Sequence, residues 1–196
     1  MADAKKAVGK LQSADAAVAE AAIPYGESRA VRAIEPLADL GDQPPMRALC
    51  GAVIAVGLFG GDRRLTRTGL RMLAAHSIAT FAKDFVKHRV DRTRPRSKHK
   101  PGKDHRVTPG RSTAKEETSF PSGHSAGAAA VARAFAREYP EHSLPAYAAG
   151  GALALAQIPR CAHYPTDVGA GVAIGFAAEA VVDIGFRLWN RPNGSP

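Results

Sequence analysis

His163 and Asp167 lie four residues apart and bracket Pro165. Proline suits the first position of a helix, so His163 falls just outside that helix and Asp167 in its opening turn, where the two side chains can meet. An aspartate bonded to one ring nitrogen fixes the tautomer and leaves the other nitrogen unprotonated and aimed outward, as a nucleophilic imidazole requires. A capping Asp beside a surface His gives the same spacing. A second cluster, Pro121-Ser122-Gly123-His124, reads as a helix start with Ser122 as N-cap. Its first-turn N–H groups have no intrahelical partner and bind anionic oxygens readily. Gly123 lets an anion approach the backbone, and His124 is placed to exchange a proton with it. An ordinary capped helix with an exposed His is the plainer account. The third cluster is Lys87, six residues, then Arg94-Pro95. It offers a compact charge and a planar fork for two oxygens, or simply a solvated basic helix end.

The elements that must position these residues come from composition and pattern. Between Lys83 and Lys115 stand twelve basic residues against three acids, which is the whole +9 excess of the 196-residue chain. One segment therefore meets an anionic partner locally: a phosphate ester, an acidic membrane surface or nucleic acid. A 45% hydrophobic and 23% charged composition excludes disorder over the whole chain. Cys50 and Cys161 fit neither a disulfide framework nor a zinc site, and Cys161 is expected to be a packing residue. Met1 to Glu20 holds no apolar core of the length a signal peptide needs.

Lys5 to Ala22 predicts a mostly exposed helix, and Pro24, Pro36, Pro44 and Pro45 break up the next stretch, so residues 1–45 are expected to form a helical appendage to a domain over 46–190. Met46–Gly61, the charged turn Asp62-Arg63-Arg64 and Leu65–Val86 predict a helical hairpin. The basic, proline-punctuated stretch to Lys115 predicts an exposed loop, and most cations from Arg96 onward are expected to be solvated. Further helices are expected over Ser122–Tyr139, Pro145–Ile158 and Pro165–Trp189. No strand-period alternation is present, so the fold is expected to be all-α, a bundle of about five core helices. Spans of ~15–22 residues, several with an Arg, leave a soluble bundle and a short membrane bundle both open.

In order and spacing, the three clusters resemble the motifs of the type 2 phosphatidic acid phosphatase (PAP2) superfamily over about residues 39 to 180. That superfamily includes lipid phosphatases, bacterial non-specific acid phosphatases and vanadium haloperoxidases. Lys87, Arg94 and Pro95 match its first motif, residues 121–124 its second, and His163 and Asp167 the end of its third. Gln157 stands where the third motif has an arginine; Arg160 is the candidate to reach in instead.

The resemblance implies a phosphatase acting on a phosphate monoester or diphosphate, with a phosphorylated lipid or small phosphate ester as partner. His163 would attack phosphorus to form a phosphohistidine, Asp167 would orient it, and His124 would protonate the leaving group. Lys87, Arg94, Ser122, the Gly123 N–H and Arg160 would hold the equatorial oxygens. It implies no metal or other cofactor, and a bacterial-type inner membrane location with the site at one membrane face. Two alternatives stand beside it: a vanadate-dependent haloperoxidase, and a non-catalytic basic module binding acidic lipid or nucleic acid. Nucleic acid is not expected, because no aromatic residue interrupts the stretch between Phe85 and Phe120 for base stacking.

Overall fold

A computed structural model describes residues 2–99 and 107–189. Among these residues, seven α-helices run in chain order: α1 (Ala2–Ala22), α2 (Arg29–Asp39), α3 (Gln43–Phe59), α4 (Arg63–Lys87), α5 (Gly123–Glu138), α6 (Ser143–Leu155) and α7 (Pro165–Trp189). The fold is all-α, and α3 to α7 are the five core helices expected from the pattern. Local chemistry sets their starts. Asp62 accepts from the Leu65 N–H to cap α4, and Ser28 does the same for α2 with Val31. Pro44 and Pro45 do not break the chain but sit in the first turn of α3, where a missing N–H costs nothing, so that helix starts three residues earlier than expected. Pro36 lies inside α2, near its C-terminal end.

The strand-free expectation needs one correction. Val90–Arg92 (β1) pairs antiparallel with Val107–Pro109 (β2), Asp91 opposite Thr108. Three residues per strand are too few to show alternation, and the pairing closes the long α4–α5 connection on itself.

The core is built on small residues. α5 is central, packing against α4, α6 and α7, and it buries Ala126, Ala128, Ala130 and Ala134 against Ala75 and Ala79 of α4 and Ala178 and Val182 of α7. Two glycines let α7 lie directly on α5. A Cβ at Gly171 would stand 2.5 Å from the Ser122 carbonyl oxygen, and one at Gly175 would press as hard on that of Ala126. The close contact sets the start of α5 beside the start of α7, and Ser122 N–H donates to the Asp167 carbonyl at 3.0 Å. The end of α4 joins the same end of the bundle.

At the other end, buried charge ties α4, α5 and α7 together. Arg71 meets Glu138 at 3.2 Å and Asp183 at 2.5 Å, while Arg133 and Arg137 both meet the fully buried Glu179, at 2.8 and 2.6 Å. Arg133 and Arg137 are four apart on α5, as are Glu179 and Asp183 on α7, a spacing that puts each pair on one helix face.

Candidate active site

The end of the bundle where α4 finishes and α5 and α7 begin holds a pocket of about 260 Å³. Its lining includes Lys87, Arg94, Gly123, His124, Gln157, Arg160 and His163, so the structure brings all three motifs to one cavity. Two of the expected site residues stand behind that surface. Asp167 is fully buried beneath His163. Ser122 is fully buried with its hydroxyl accepting from the Ser125 N–H (3.3 Å) and hydroxyl (2.8 Å), so its side chain serves the cap and does not line the pocket.

The His163 imidazole is held differently from the sequence expectation. Its Nδ1 lies 2.7 Å from the Ser119 carbonyl oxygen and 3.7 Å from Asp167 Oδ2. A carbonyl only accepts, so Nδ1 carries the proton and Nε2 presents its lone pair, 3.4 Å from Arg94 Nη1. Asp167 fixes this arrangement one step removed. It accepts from Ser119 Oγ at 2.6 Å and from the Tyr164 N–H at 2.9 Å, and it pairs with Arg92 at 2.5 Å. Burial pushes His163 down to about 4, Asp167 pulls it partly back, and Arg94 and Lys87 press it further down. The ring is neutral, and so nucleophilic, at ordinary pH.

Arg94 is placed by the loop folding around it. Its Nε donates to the Lys115 carbonyl at 2.7 Å and its Nη1 to that of Ala162 at 3.1 Å. Burial, then Arg96, lower its guanidinium to about 10, leaving it charged at neutral pH. The expectation of an exposed basic loop is corrected over part of its length: Arg92, Thr93, Arg94 and Ser97 are buried, with the Arg94 N–H donating to the Glu116 carbonyl at 2.8 Å and the Arg96 N–H to the Cys161 carbonyl at 3.0 Å, while Arg89 and Arg111 are exposed. Arg96 and Lys115 line the mouth of the pocket and stay exposed, as expected of solvated cations. Lys100, Lys103 and Arg106 of the same stretch lie outside the described residues.

The departure at Gln157 is structurally explicit. Gln157 is fully buried, and its carbonyl accepts from the N–H groups of Ala162 (3.1 Å) and His163 (3.3 Å), closing the turn that presents the histidine. Its side-chain Nε2 donates to the Leu153 carbonyl at 3.3 Å, while Oε1 is buried without a partner among the described residues. Arg160 does reach the pocket, but its Nη2 is held by Asp39 at 2.8 Å. His124 Nε2 lies 2.9 Å from Asp42 Oδ1, out of line for a hydrogen bond.

Four residues outside the motifs belong to the site's construction. Lys83 lines the pocket one helical turn before Lys87, a spacing visible in the sequence. Ser119 bridges His163 and Asp167, through its carbonyl on one side and its hydroxyl on the other. Arg92 carries Asp167 on one arm and, on the other, the buried Asp15 of α1 at 2.6 Å. Asp15 also accepts from the backbone N–H of Thr166 at 3.1 Å and from its hydroxyl. Nothing local marks Asp15, an aspartate on a mostly exposed helix, as part of a site 151 residues away from Thr166.

Among the described residues no three His, Cys, Asp or Glu side chains gather as a metal-binding group. The sequence profile of the PAP2 superfamily matches residues 68–189. Among solved structures, the fold is similar to that of the first transmembrane PAP2 type phosphatidylglycerolphosphate phosphatase from Bacillus subtilis. The TM-score is 0.65 and the identity 22%, over 94% of this chain and 90% of that one. No curated protein matches the chain in sequence.

Proposed function

This chain belongs to the PAP2 superfamily, and on that premise we propose that it is a phosphatase working through a phosphohistidine, with a phosphorylated lipid as substrate. The observation that carries the proposal is the neutral His163, whose Nε2 lone pair sits beside Arg94 in a cavity shared with His124. In the first step His163 Nε2 bonds to phosphorus as the ester P–O bond breaks, and His124 delivers a proton to the departing oxygen. In the second, His124 takes a proton from water, which attacks the phosphohistidine and frees phosphate. Lys83, Lys87, Arg94 and the open first turn of α5 at Gly123 stabilise the equatorial oxygens throughout. Ser119, Asp167 and Arg92 keep the ring in the reactive tautomer.

Two features support a lipid. An apolar groove of about 270 Å³ runs between α3, α5 and α6, lined by Met46, Val53, Ala128, Phe135, Gly150 and Leu153. It begins one helical turn from His124 and one from Gln157, so a substrate with its phosphate in the pocket has room for a chain alongside. Outward-facing Phe59, Phe81, Leu144, Leu155, Ile184 and Trp189 are more than half exposed, and α7 is long and apolar enough to cross a membrane. We place the protein in a bacterial-type inner membrane, with the pocket at one face among lipid headgroups.

The test has a chemical arm and a physical one. His163→Ala should be inactive on every ester, and labelled substrate should leave an acid-labile phosphoenzyme on His124→Ala but none on His163→Ala. His124→Ala should lose about 10²–10⁴-fold on alkyl phosphates and far less on nitrophenyl phosphate, whose leaving group needs no proton. Label trapped on His163→Ala would overturn the mechanism. Recovery of the protein in the soluble fraction after cell breakage without detergent would overturn the membrane placement.

A further inference from the structure

One wall of the pocket comes from outside the motifs: the turn between α2 and α3, which contributes Asp39, Gly41 and Asp42. This turn lies directly on the proton donor, since a Cβ at Gly41 would stand 3.1 Å from His124 Cδ2. Asp42 faces His124 at 2.9 Å and Asp39 holds Arg160 at 2.8 Å. Charge in the cavity is therefore uneven. Around His163, Arg94 is held by backbone carbonyls and keeps its positive charge available to a phosphate. Around His124 stand the two carboxylates that line the pocket, Asp39 and Asp42, facing Arg160 and, beyond it, Arg94.

The leaving group departs on the His124 side, because that imidazole protonates it. We infer that Asp39 and Asp42 set leaving-group specificity, favouring phosphate monoesters of a neutral, hydroxyl-bearing alcohol and rejecting diphosphates. The inference rests on the proposed phosphatase function and goes beyond it by choosing between two ester classes. In both classes the His163–phosphorus bond forms while the bridging P–O bond breaks, its electron pair goes to the departing oxygen, and His124 supplies the proton. A monoester then releases a neutral alcohol whose remaining hydroxyls can donate to the carboxylates. A diphosphate releases a phosphate whose remaining charge lies against them, a like-charge contact in a partly desolvated space.

The experiment compares kcat/KM for three substrates: an alkyl phosphate, nitrophenyl phosphate, and a diphosphate of the same alkyl chain. Each is assayed with the wild type, Asp39→Asn, Asp42→Asn, the double variant and Asp39→Glu. The wild type should prefer the alkyl phosphate to the diphosphate. Each Asn should raise the diphosphate rate relative to both monoesters by about tenfold, more in the double variant, and Asp39→Glu should return the wild-type ratio. The ratio of alkyl to nitrophenyl phosphate reports how well His124 donates its proton, so in Asp39→Asn it should stay constant while the diphosphate ratio rises. A diphosphate ratio that does not move in Asp39→Asn or the double variant, or that moves only together with the nitrophenyl ratio, overturns the inference and leaves the phosphatase function standing. A wild type inactive on all three removes both.

Discussion

At the scale of single residues, the site is governed by which atom holds each proton. Because burial lowers His163 to about 4, it should stay unprotonated across the range in which an ordinary histidine, near ~6.5, takes up a proton. The acid limb of kcat/KM, corrected for titration of the ester itself, is expected near pH 4, and a limb near 6.5 would contradict the buried geometry. The sign for stability comes from the same difference. Between about 6.5 and 4 the unfolded chain binds a proton that the folded one refuses, so stability falls as pH drops through that window. Residue types and spacing pointed to His163, His124, Lys87 and Arg94 before any fold was known, and those four do share a cavity. Spacing pointed equally to a direct His163–Asp167 bond, but the carbonyl of Ser119 takes that place. A backbone acceptor leaves no mark in a sequence, since every residue carries one.

At the scale of helices, close packing and chemistry make separate demands on glycine. Gly175→Ala forces a methyl against the α5 backbone and should cost about 1–3 kcal/mol, read as a lower denaturation midpoint. Gly123→Ala puts a methyl in ordinary contact with Lys83, 3.5 Å from its Cε, so stability should hold while kcat/KM falls, because in the proposed mechanism the methyl would crowd the amides that bind phosphate. The reverse pattern, a destabilised Gly123→Ala with normal turnover, would remove the anion role of that turn. α1 acts on the site through a positioning residue. Asp15→Asn keeps the shape but weakens the hold on Arg92, and is expected to lower kcat several-fold with little change in KM and to move the acid limb of the pH profile. An unmoved pH profile with only a lower melting temperature would make Asp15 merely structural. Helix positions were legible because long apolar runs and capping residues are local signals. The β1–β2 pairing and the docking of α1 were not, since each depends on partners far along the chain.

At the scale of the whole molecule, the ends of the bundle differ in how firmly they are joined. The Arg71 cluster was invisible as a unit in the sequence, because its members are scattered over α4, α5 and α7, although the four-residue spacings of Arg133 with Arg137 and Glu179 with Asp183 were there to be seen. Arg71→Ala removes one guanidinium from Glu138, which keeps Arg67, and from Asp183, which keeps Arg187 and Arg137, and should destabilise by about 1.5–3 kcal/mol, where Arg32→Ala, in an exposed pair, should change almost nothing. Denaturation midpoints of the two variants check this; equal midpoints would mean the cluster contributes no net stability. Mechanical compliance is therefore distributed unequally. The three helices that carry or adjoin His124, His163 and the lysines are bolted at their far ends, while the α2–α3 corner is tethered to the pocket by the pair between Arg160 and the more than half exposed Asp39, a link worth only about 0–1 kcal/mol. On the proposed function, a bulky headgroup that widened the mouth would be expected to displace that corner before it disturbed the aim of His163.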